Sequence, residues 1–391
     1  MKIKGFLKDV GGASRVTKRR GDVYTAASDK PAPKDPIGEV AKALHPGFIK
    51  LKLESVREAS PTSRTLRFTS DAHIPYFRVG QFLTLVIAKD GFRATRPYSI
   101  SSAPYETRGE RPFVEITVRK PRAGGFIADY LYGEAKPGDV FEGEVGLGEF
   151  HYDAIRDSKN VVAIAGGSGI TPFCSMAKEL KNGKEDFNLT ILYGSVTKDD
   201  IVLKKELDEC LCDRVKVVHV LSGEDPDWQG EKGFIDREII KKYSSLDTTY
   251  FVCGPQVMYD FVRKELYALN VPRRRVRFEV FGQARDITVF EDYPKELADR
   301  VFDLCVKVGV SQTVIKARAN ESLAVALERA GLKIHTACRS GSCGFCRVKV
   351  LKGEYFVCPQ NDGRRAADRD FGYVHACSAY PTSDMTVKIG V

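Results

Sequence analysis

The chain has 391 residues, of which 43% are apolar and 29% charged, enough for two or three soluble domains with a core each. The formal net charge is +9, yet residues 1–20 hold seven Lys and Arg against one Asp, which leaves only +3 for the other 371 residues. That balance excludes a nucleic-acid-binding body, and no apolar run approaches the roughly 18 residues of a membrane span.

In chain order, residues 1–47 are expected to form a basic N-terminal extension with little periodicity and one short helix at Ile37 to Leu44. No apolar stretch near the start fits a signal peptide, and a cytoplasmic location is expected. Gly11-Gly12 argues against a continuous amphipathic helix there. Residues 48–155 alternate β-like stretches with turns. Thr65 to Thr69, Phe82 to Ile87 and Phe113 to Val118 are the clearest, and such spacing predicts an antiparallel β-barrel. Residues 156–283 change to strand–helix alternation. Buried strands are expected at Val161 to Ala165, Leu189 to Tyr193, Val215 to Val220 and Tyr250 to Val252, with helices at Pro172 to Leu180 and Met258 to Leu269. This is the pattern of an α/β domain with a parallel sheet. Residues 284–300 read as a charged linker. Residues 301–391 begin with strands at Val301 to Val308 and Gln312 to Lys316, followed by a helix with Asn320 as expected cap and Gly331 as its stop.

Ten cysteines are present, and four of them carry a pattern. Cys338, Cys343 and Cys346 are separated by four and two residues, and Cys377 follows after a long gap. This is the plant-type spacing of four thiolates around one 2Fe–2S cluster. Gly341, Ser342 and Gly344 leave room for backbone N–H groups to approach anionic sulfur. A structural zinc site also takes four cysteines, but usually as two short paired clusters.

Four further motifs suit nucleotide cofactors. Arg96-Pro97-Tyr98-Ser99 ends a β-like stretch and offers a cation, an aromatic face and a hydroxyl, the three things a flavin needs for its phosphate, ring and N5 edge. Gly124-Gly125-Phe126-Ile127-Ala128 opens a short helix, where a phosphate can meet backbone N–H groups. Gly166-Gly167-Ser168-Gly169-Ile170-Thr171-Pro172 follows a buried strand and opens a helix, which favours a dinucleotide, although its glycine spacing is not the usual fingerprint. Cys253-Gly254-Pro255 ends the last expected parallel strand. Near the adenosine end, Ser195, Thr197 and Lys198 could meet a 2′-phosphate, but Asp199-Asp200 would repel it, which favours NADH over NADPH.

Taken in this order, the motifs resemble the ferredoxin–NAD(P) reductase superfamily with a C-terminal plant-type ferredoxin, over Phe48 to Val391. The resemblance implies a multidomain fold: a flavin β-barrel, an NAD(P)-binding α/β domain and an α+β β-grasp ferredoxin domain. It implies FAD, with FMN possible because Ala128 stands where the family usually has Ser or Thr. It places Val118 and Phe281 at the flavin, and Cys253, Glu279 and Ser99 around hydride transfer. It also places Gly167, Ser168, Gly169, Thr171, Ser195, Gly254 and Pro255 at NAD(P). The implied activity passes electrons from NAD(P)H through flavin and 2Fe–2S to a partner protein such as an oxygenase. The alternatives are a reductase feeding an anaerobic metalloenzyme and a redox-sensing flavoprotein.

Overall fold

A computed structural model describes residues 6–26, 35–44, 46–89, 92–121, 126–280, 282–284 and 286–390. The chain divides into two compact units, Met1–His45 and Pro46–Val391. In the first, α1 (Phe6–Thr25) is followed by α2 (Pro36–Leu44). Helix α1 runs straight through Gly11-Gly12, which overturns the expectation of an interruption there. A glycine costs about 1 kcal/mol against Ala in a helix but removes no backbone donor. Arg15 Nε and Thr17 Oγ1 meanwhile donate to the carbonyls of Gly11 and Ala13.

The second unit begins with β1 (Phe48–Ser60), β2 (Ser63–Thr69), β3 (Phe82–Lys89), β4 (Phe92–Ser99), β5 (Val114–Arg119), α3 (Phe126–Gly133) and β6 (Val140–Leu147). These strands pair antiparallel in the order β4-β3-β6-β1-β2-β5. An antiparallel bridge from Ile100 to Ile116 then joins the two ends of the sheet. Strand β1 shows why it closes: Ile49, Leu51 and Leu53 turn inward while Lys50 and Lys52 turn outward, a period of two. The interior gathers Leu51, Leu53, Leu66, Phe68, Leu83, Leu85 and Ile116, each fully shielded.

Next come β7 (Asn160–Gly166), α4 (Thr171–Lys181), β8 (Asn188–Ser195), α5 (Lys204–Glu209), β9 (Val215–Leu221), β10 (Glu231–Lys232), α6 (Arg237–Tyr243), β11 (Thr249–Cys253), α7 (Gln256–Ala268) and β12 (Val276–Glu279). The strands are parallel and ordered β10-β9-β8-β7-β11-β12. The chain therefore steps outward from β7 to β10 and then returns to lay β11 on the other side of β7. The carboxyl ends of β7 and β11 flank the switch point, where open α/β sheets bind their ligands. β7 and β11 are apolar without alternation because helices cover both faces.

The last part holds β13 (Val301–Val308), β14 (Ser311–Arg318), α8 (Leu323–Arg329), β15 (Arg347–Lys352), β16 (Tyr355–Val357), α9 (Ala366–Asp370), β17 (Tyr373–His375), β18 (Ala379–Pro381) and β19 (Met385–Ile389). A mixed sheet, β14-β13-β19-β15-β17, packs on α8, and β16 pairs with β18. The cap of α8 is Ser322, whose hydroxyl accepts from Val325 N, and not the expected Asn320. Asn320 lies outside the helix start. Gly331 does follow the helix, with a left-handed φ of 73°. Segment 286–299, expected as a linker, packs as a strap. Ile287 and Tyr293 are buried with Phe356, Cys358 and Tyr380, and Phe290 leans on the same cluster.

Candidate active site

Strand β4 carries Arg96, Pro97, Tyr98 and Ser99 in register against β3. Tyr98 is half-buried against the barrel core, and burial pushes its hydroxyl pKa up. Burial and the neighbouring Arg339 charge push the Arg96 guanidinium down to about 10, still far above neutral pH. It therefore stays a cation. Among the described residues its side chain hydrogen-bonds only the Thr95 carbonyl, at 2.8 Å. A buried cation with free donors fits a phosphate. Val118 lies near the end of β5, and Ile127 and Ala128 begin α3, which packs on β5. Gly124, Gly125 and Phe281 lie outside the described residues, and nothing is described of the Phe126 side chain.

The second cluster of candidates meets at the switch point. Register aligns Ala165 of β7 with Cys253 of β11, and Cys253 with Glu279 of β12, so both side-chain candidates stand at the same level of adjacent strands. Gly167, Ser168 and Gly169 form a tight turn into α4, where Thr171 Oγ1 donates to the Ser168 carbonyl at 3.1 Å. Only glycine fits at 169, because a Cβ there would lie 2.2 Å from the Cys253 carbonyl oxygen. Gly254 and Pro255 continue from Cys253 into α7. Burial pushes the Cys253 thiol well up, with Glu279 adding to the effect. The Glu279 carboxyl is likewise raised by burial and then by Cys338 of the cysteine loop. Cys253, Glu279 and Cys338 thus form one electrostatically coupled line. Ser195 ends β8, which pairs with β7 on the side away from β11.

The four cysteines of the C-terminal motif stand as two pairs. Cys346 Sγ lies 3.3 Å from Cys377 Sγ. Cys338 interacts with Cys343, whose hydrogen bond is the largest cause lowering the Cys338 thiol pKa. Backbone N–H groups of Ser340 and Cys343 point at Cys338 Sγ at 3.4 Å, and that of Gly341 points at Cys377 Sγ at 3.2 Å. Among the described residues no three His, Cys, Asp or Glu side chains converge on one point, as a single metal ion would need. Two thiol pairs, with donors already aimed at sulfur, fit a two-iron cluster with two thiolates on each iron. Gly341 allows this folding, since a Cβ there would sit 1.8 Å from the Asn361 carbonyl oxygen. Cys358 is buried and bonds Asn361 instead.

The cysteine loop docks on the flavin-motif strand. Thr95 and Thr336 bond through their hydroxyls, and Arg339 Nη1 reaches the Thr95 carbonyl at 3.4 Å. Arg339 is held by a bidentate pair with Glu328 of α8, at 2.5 and 2.8 Å, with both side chains almost fully buried. Sequence reasoning misses this pair because its partners only meet in the fold. It also misses Arg119, which pairs with Asp200 and stands over the nucleotide turn; a Cβ at Gly167 would lie 2.7 Å from its Nη1. Tyr259 is a third omission: it donates to the Glu279 carbonyl and accepts from Gly254 N at 3.3 Å, tying the two strand ends together.

A cleft of about 1150 Å³ lies between the barrel and the α/β domain, with Lys198 and Asp199 of the expected adenosine end in its lining. Charge pairs line it. Buried Glu115 takes Arg57, Arg67 and Lys178, and Arg57 also bonds Glu206. It reads as the seam that fixes the two domains, since Glu106, Glu115, Glu206 and Asp208 already have cations.

The barrel, the switch-point turn and the paired thiols together define a flavin- and pyridine-nucleotide-dependent oxidoreductase with its own iron–sulfur domain. Comparison with known proteins agrees. Residues 50–152 match the oxidoreductase FAD-binding domain, 163–264 the oxidoreductase NAD-binding domain, and 306–382 the 2Fe-2S iron-sulfur cluster binding domain. In this order the three matched domains resemble the members of the ferredoxin–NAD(P) reductase superfamily that end in a 2Fe–2S ferredoxin domain. The chain is 26% identical over 342 residues to the glycine betaine monooxygenase reductase subunit of Chromohalobacter salexigens, covering 83% of this chain and 91% of that one. It is 27% identical over 341 residues to the NADH oxidoreductase HCR of Escherichia coli, covering 86% and 97%. Among solved structures, phthalate dioxygenase reductase aligns over 88% of this chain and 98% of its own, with a TM-score of 0.62 and 25% identity. Its cofactors are FAD, NAD(H) and a 2Fe–2S cluster. Among the described residues no helix is long and apolar enough to cross a membrane.

Proposed function

We propose that this oxidoreductase is a cytoplasmic reductase component that delivers single electrons to a separate metalloprotein, of which an oxygenase is the favoured class. The observation that carries this reading is the docking of the cysteine loop on β4, through Thr95, Thr336, Arg339 and Glu328. It sets the cluster loop directly against the strand that bears Arg96 and Ser99. The relatives named above include a monooxygenase reductase subunit and a dioxygenase reductase, which supports the choice of acceptor.

When bound, the flavin accepts electrons in a pair and the cluster carries them singly. The chain's residues bind and orient. Arg96 holds the flavin phosphate, Tyr98 offers a ring face, and the Ser99 hydroxyl is a hydrogen-bond partner at the ring edge. Val118, Ile127 and Ala128 complete that wall, with Gly124, Gly125, Phe126 and Phe281 assigned to it from the sequence. Gly167, Ser168, Gly169 and Thr171 cradle the dinucleotide, and Ser195 meets its adenosine end. Cys253, Gly254 and Pro255 present a neutral thiol to the nicotinamide. Glu279, whose carboxyl burial holds well above its ordinary pKa, lines the same point. Cys338, Cys343, Cys346 and Cys377 hold the cluster.

The test is anaerobic reduction with one equivalent of NADH. The protein should contain two irons and two sulfides per flavin. Stopped-flow absorbance should show the flavin reduced first, and electron paramagnetic resonance of frozen samples should then show a reduced 2Fe–2S signal. A flavin that is reduced while the cluster stays oxidised would defeat the relay.

A further inference from the structure

Residues 301–391 carry thirteen Lys and Arg against eight Asp and Glu, a net of +5. Residues 21–300 carry 41 against 43. Outside the first 20 residues, the basic excess of this protein therefore resides in the ferredoxin domain.

Five of these cations, Arg347, Lys349, Arg364, Arg365 and Arg369, lie on the strand and the segment that flank the cysteine loop, against three acids there, Asp362, Asp368 and Asp370. Ser342 and Cys343 are exposed at the tip of the cysteine loop, and between the ligands Phe345 leaves 54% of its surface open. Segment 362–370 runs along that tip, so closely that a Cβ at Gly363 would lie 2.6 Å from the Gly341 carbonyl oxygen. Two of its three acids are already shared, and exposed Asp370 is the third. Asp362 takes both Arg364 and Arg369, at 2.8 and 3.6 Å. Asp368 takes Arg347 at 3.1 Å, from the residue next to ligand Cys346. Exposed Arg365 has no carboxylate partner among the described residues, and Lys349 lies over the Tyr373 ring that Arg347 also covers.

We propose that this face is the docking surface for an electron acceptor whose own docking face is acidic, with Phe345 as its apolar anchor and Arg347, Arg365 and Arg369 as its charged rim. This rests on the reading that electrons leave by the cluster. An exposed aromatic between the cluster ligands, with arginines on the flanking strand and segment, has the make-up of an interface centre and its rim. A net excess of like charge steers an oppositely charged partner to the short-path orientation and disfavours a basic one. One electron leaves the reduced cluster and reduces one acceptor centre, with no bond made or broken.

The test uses the full-length holoenzyme with two one-electron acceptors of opposite surface charge, acidic cytochrome b5 and basic cytochrome c. The second-order rate with cytochrome b5 should fall on the order of tenfold as NaCl is raised from low to near-physiological ionic strength. The rate with cytochrome c should stay level or rise. Arg365→Glu with Arg369→Glu should cut the cytochrome b5 rate on the order of tenfold at low salt and raise the cytochrome c rate. Arg365→Gln, which breaks no ion pair, should give a smaller loss in the same direction. A faster cytochrome c reaction that weakens with salt, or variants with unchanged rates for both acceptors, would overturn the proposal. Single-turnover reduction of the cluster by NADH is measured on the same samples. Failure there, in the unmodified protein, would count against the relay itself and not against the docking face.

Discussion

Glu328→Gln should destabilise the contact between the cluster loop and β4. The substitution keeps the size and an acceptor oxygen but removes the charge opposite Arg339. Arg339 is 3% exposed and Glu328 9%, so water cannot take over. Breaking one side of such a pair costs about 3–5 kcal/mol, and the amide that remains places this case near 3. That multiplies the unfolded fraction by roughly 100. Arg96 worsens the result, because it too is a buried cation and the lost carboxylate helps to hold its charge. Urea unfolding, followed in parallel by flavin and cluster absorbance, should show the cluster lost at lower urea than in the unmodified protein. The pair Glu328→Leu with Arg339→Met should recover to within about 1–2 kcal/mol, since no charge is then stranded. Arg339 sits at a left-handed φ of 55°, and Met bears that strain no worse than Arg. If Glu328→Gln cost less than about 1 kcal/mol, or if the apolar pair were as unstable as the single variant, the charge argument would be refuted.

Ser99→Ala and Cys253→Ala should each slow flavin reduction by NADH by about 10²-fold or less while leaving the cluster spectrum unchanged; stopped-flow absorbance measures both. NADH should give the higher kcat/KM, by about tenfold or 1.4 kcal/mol, because Lys198 is already paired with Asp225 at 3.2 Å and Asp200 with Arg119; a preference for NADPH would reverse this. His219 is held below its ordinary value of 6.5 by burial and then by Lys204, and its Nδ1 has no partner among the described residues. The unfolded chain therefore binds this proton first as pH falls, and the group removes stability below pH 6.5. His219→Gln should lose less stability than the unmodified protein between pH 7 and about 5, read from thermal melts at several pH values; an equal or steeper loss would contradict the sign.

The strands of the barrel were legible because their alternation is local: Ile49, Leu51 and Leu53 reveal an inward face without any knowledge of their partners. The parallel strands showed equally well as short apolar runs that end in glycine or Cys-Gly-Pro. The four cysteines needed only spacing. What escaped depends on contacts between distant segments or on small differences in energy. Helix α1 continues through Gly11-Gly12 because a glycine weakens a helix without breaking its bonds. The cap of α8 falls on Ser322 and not Asn320, two residues apart, where the choice depends on which residue the sheet lets stay extended. Arg119, Tyr259 and the Arg339–Glu328 pair gain their roles only once β5, α7 and α8 reach the nucleotide turn, the strand ends and β4. No local pattern marks them.

The strap over residues 286–299 has a practical consequence for anyone who treats this protein as interchangeable parts. Ile287, Phe290 and Tyr293 close a cluster whose other half is Phe356, Cys358 and Tyr380 of the ferredoxin domain. A graft that began at Val301 would carry away only that half, leave its aromatic surface wet, and invite self-association. The natural joint for exchanging electron-output modules therefore lies upstream, just after Gly282. The recipient would also need a threonine or similar hydrogen-bonding residue on its β4 to receive Thr336, while Arg339 needs only the backbone carbonyl there.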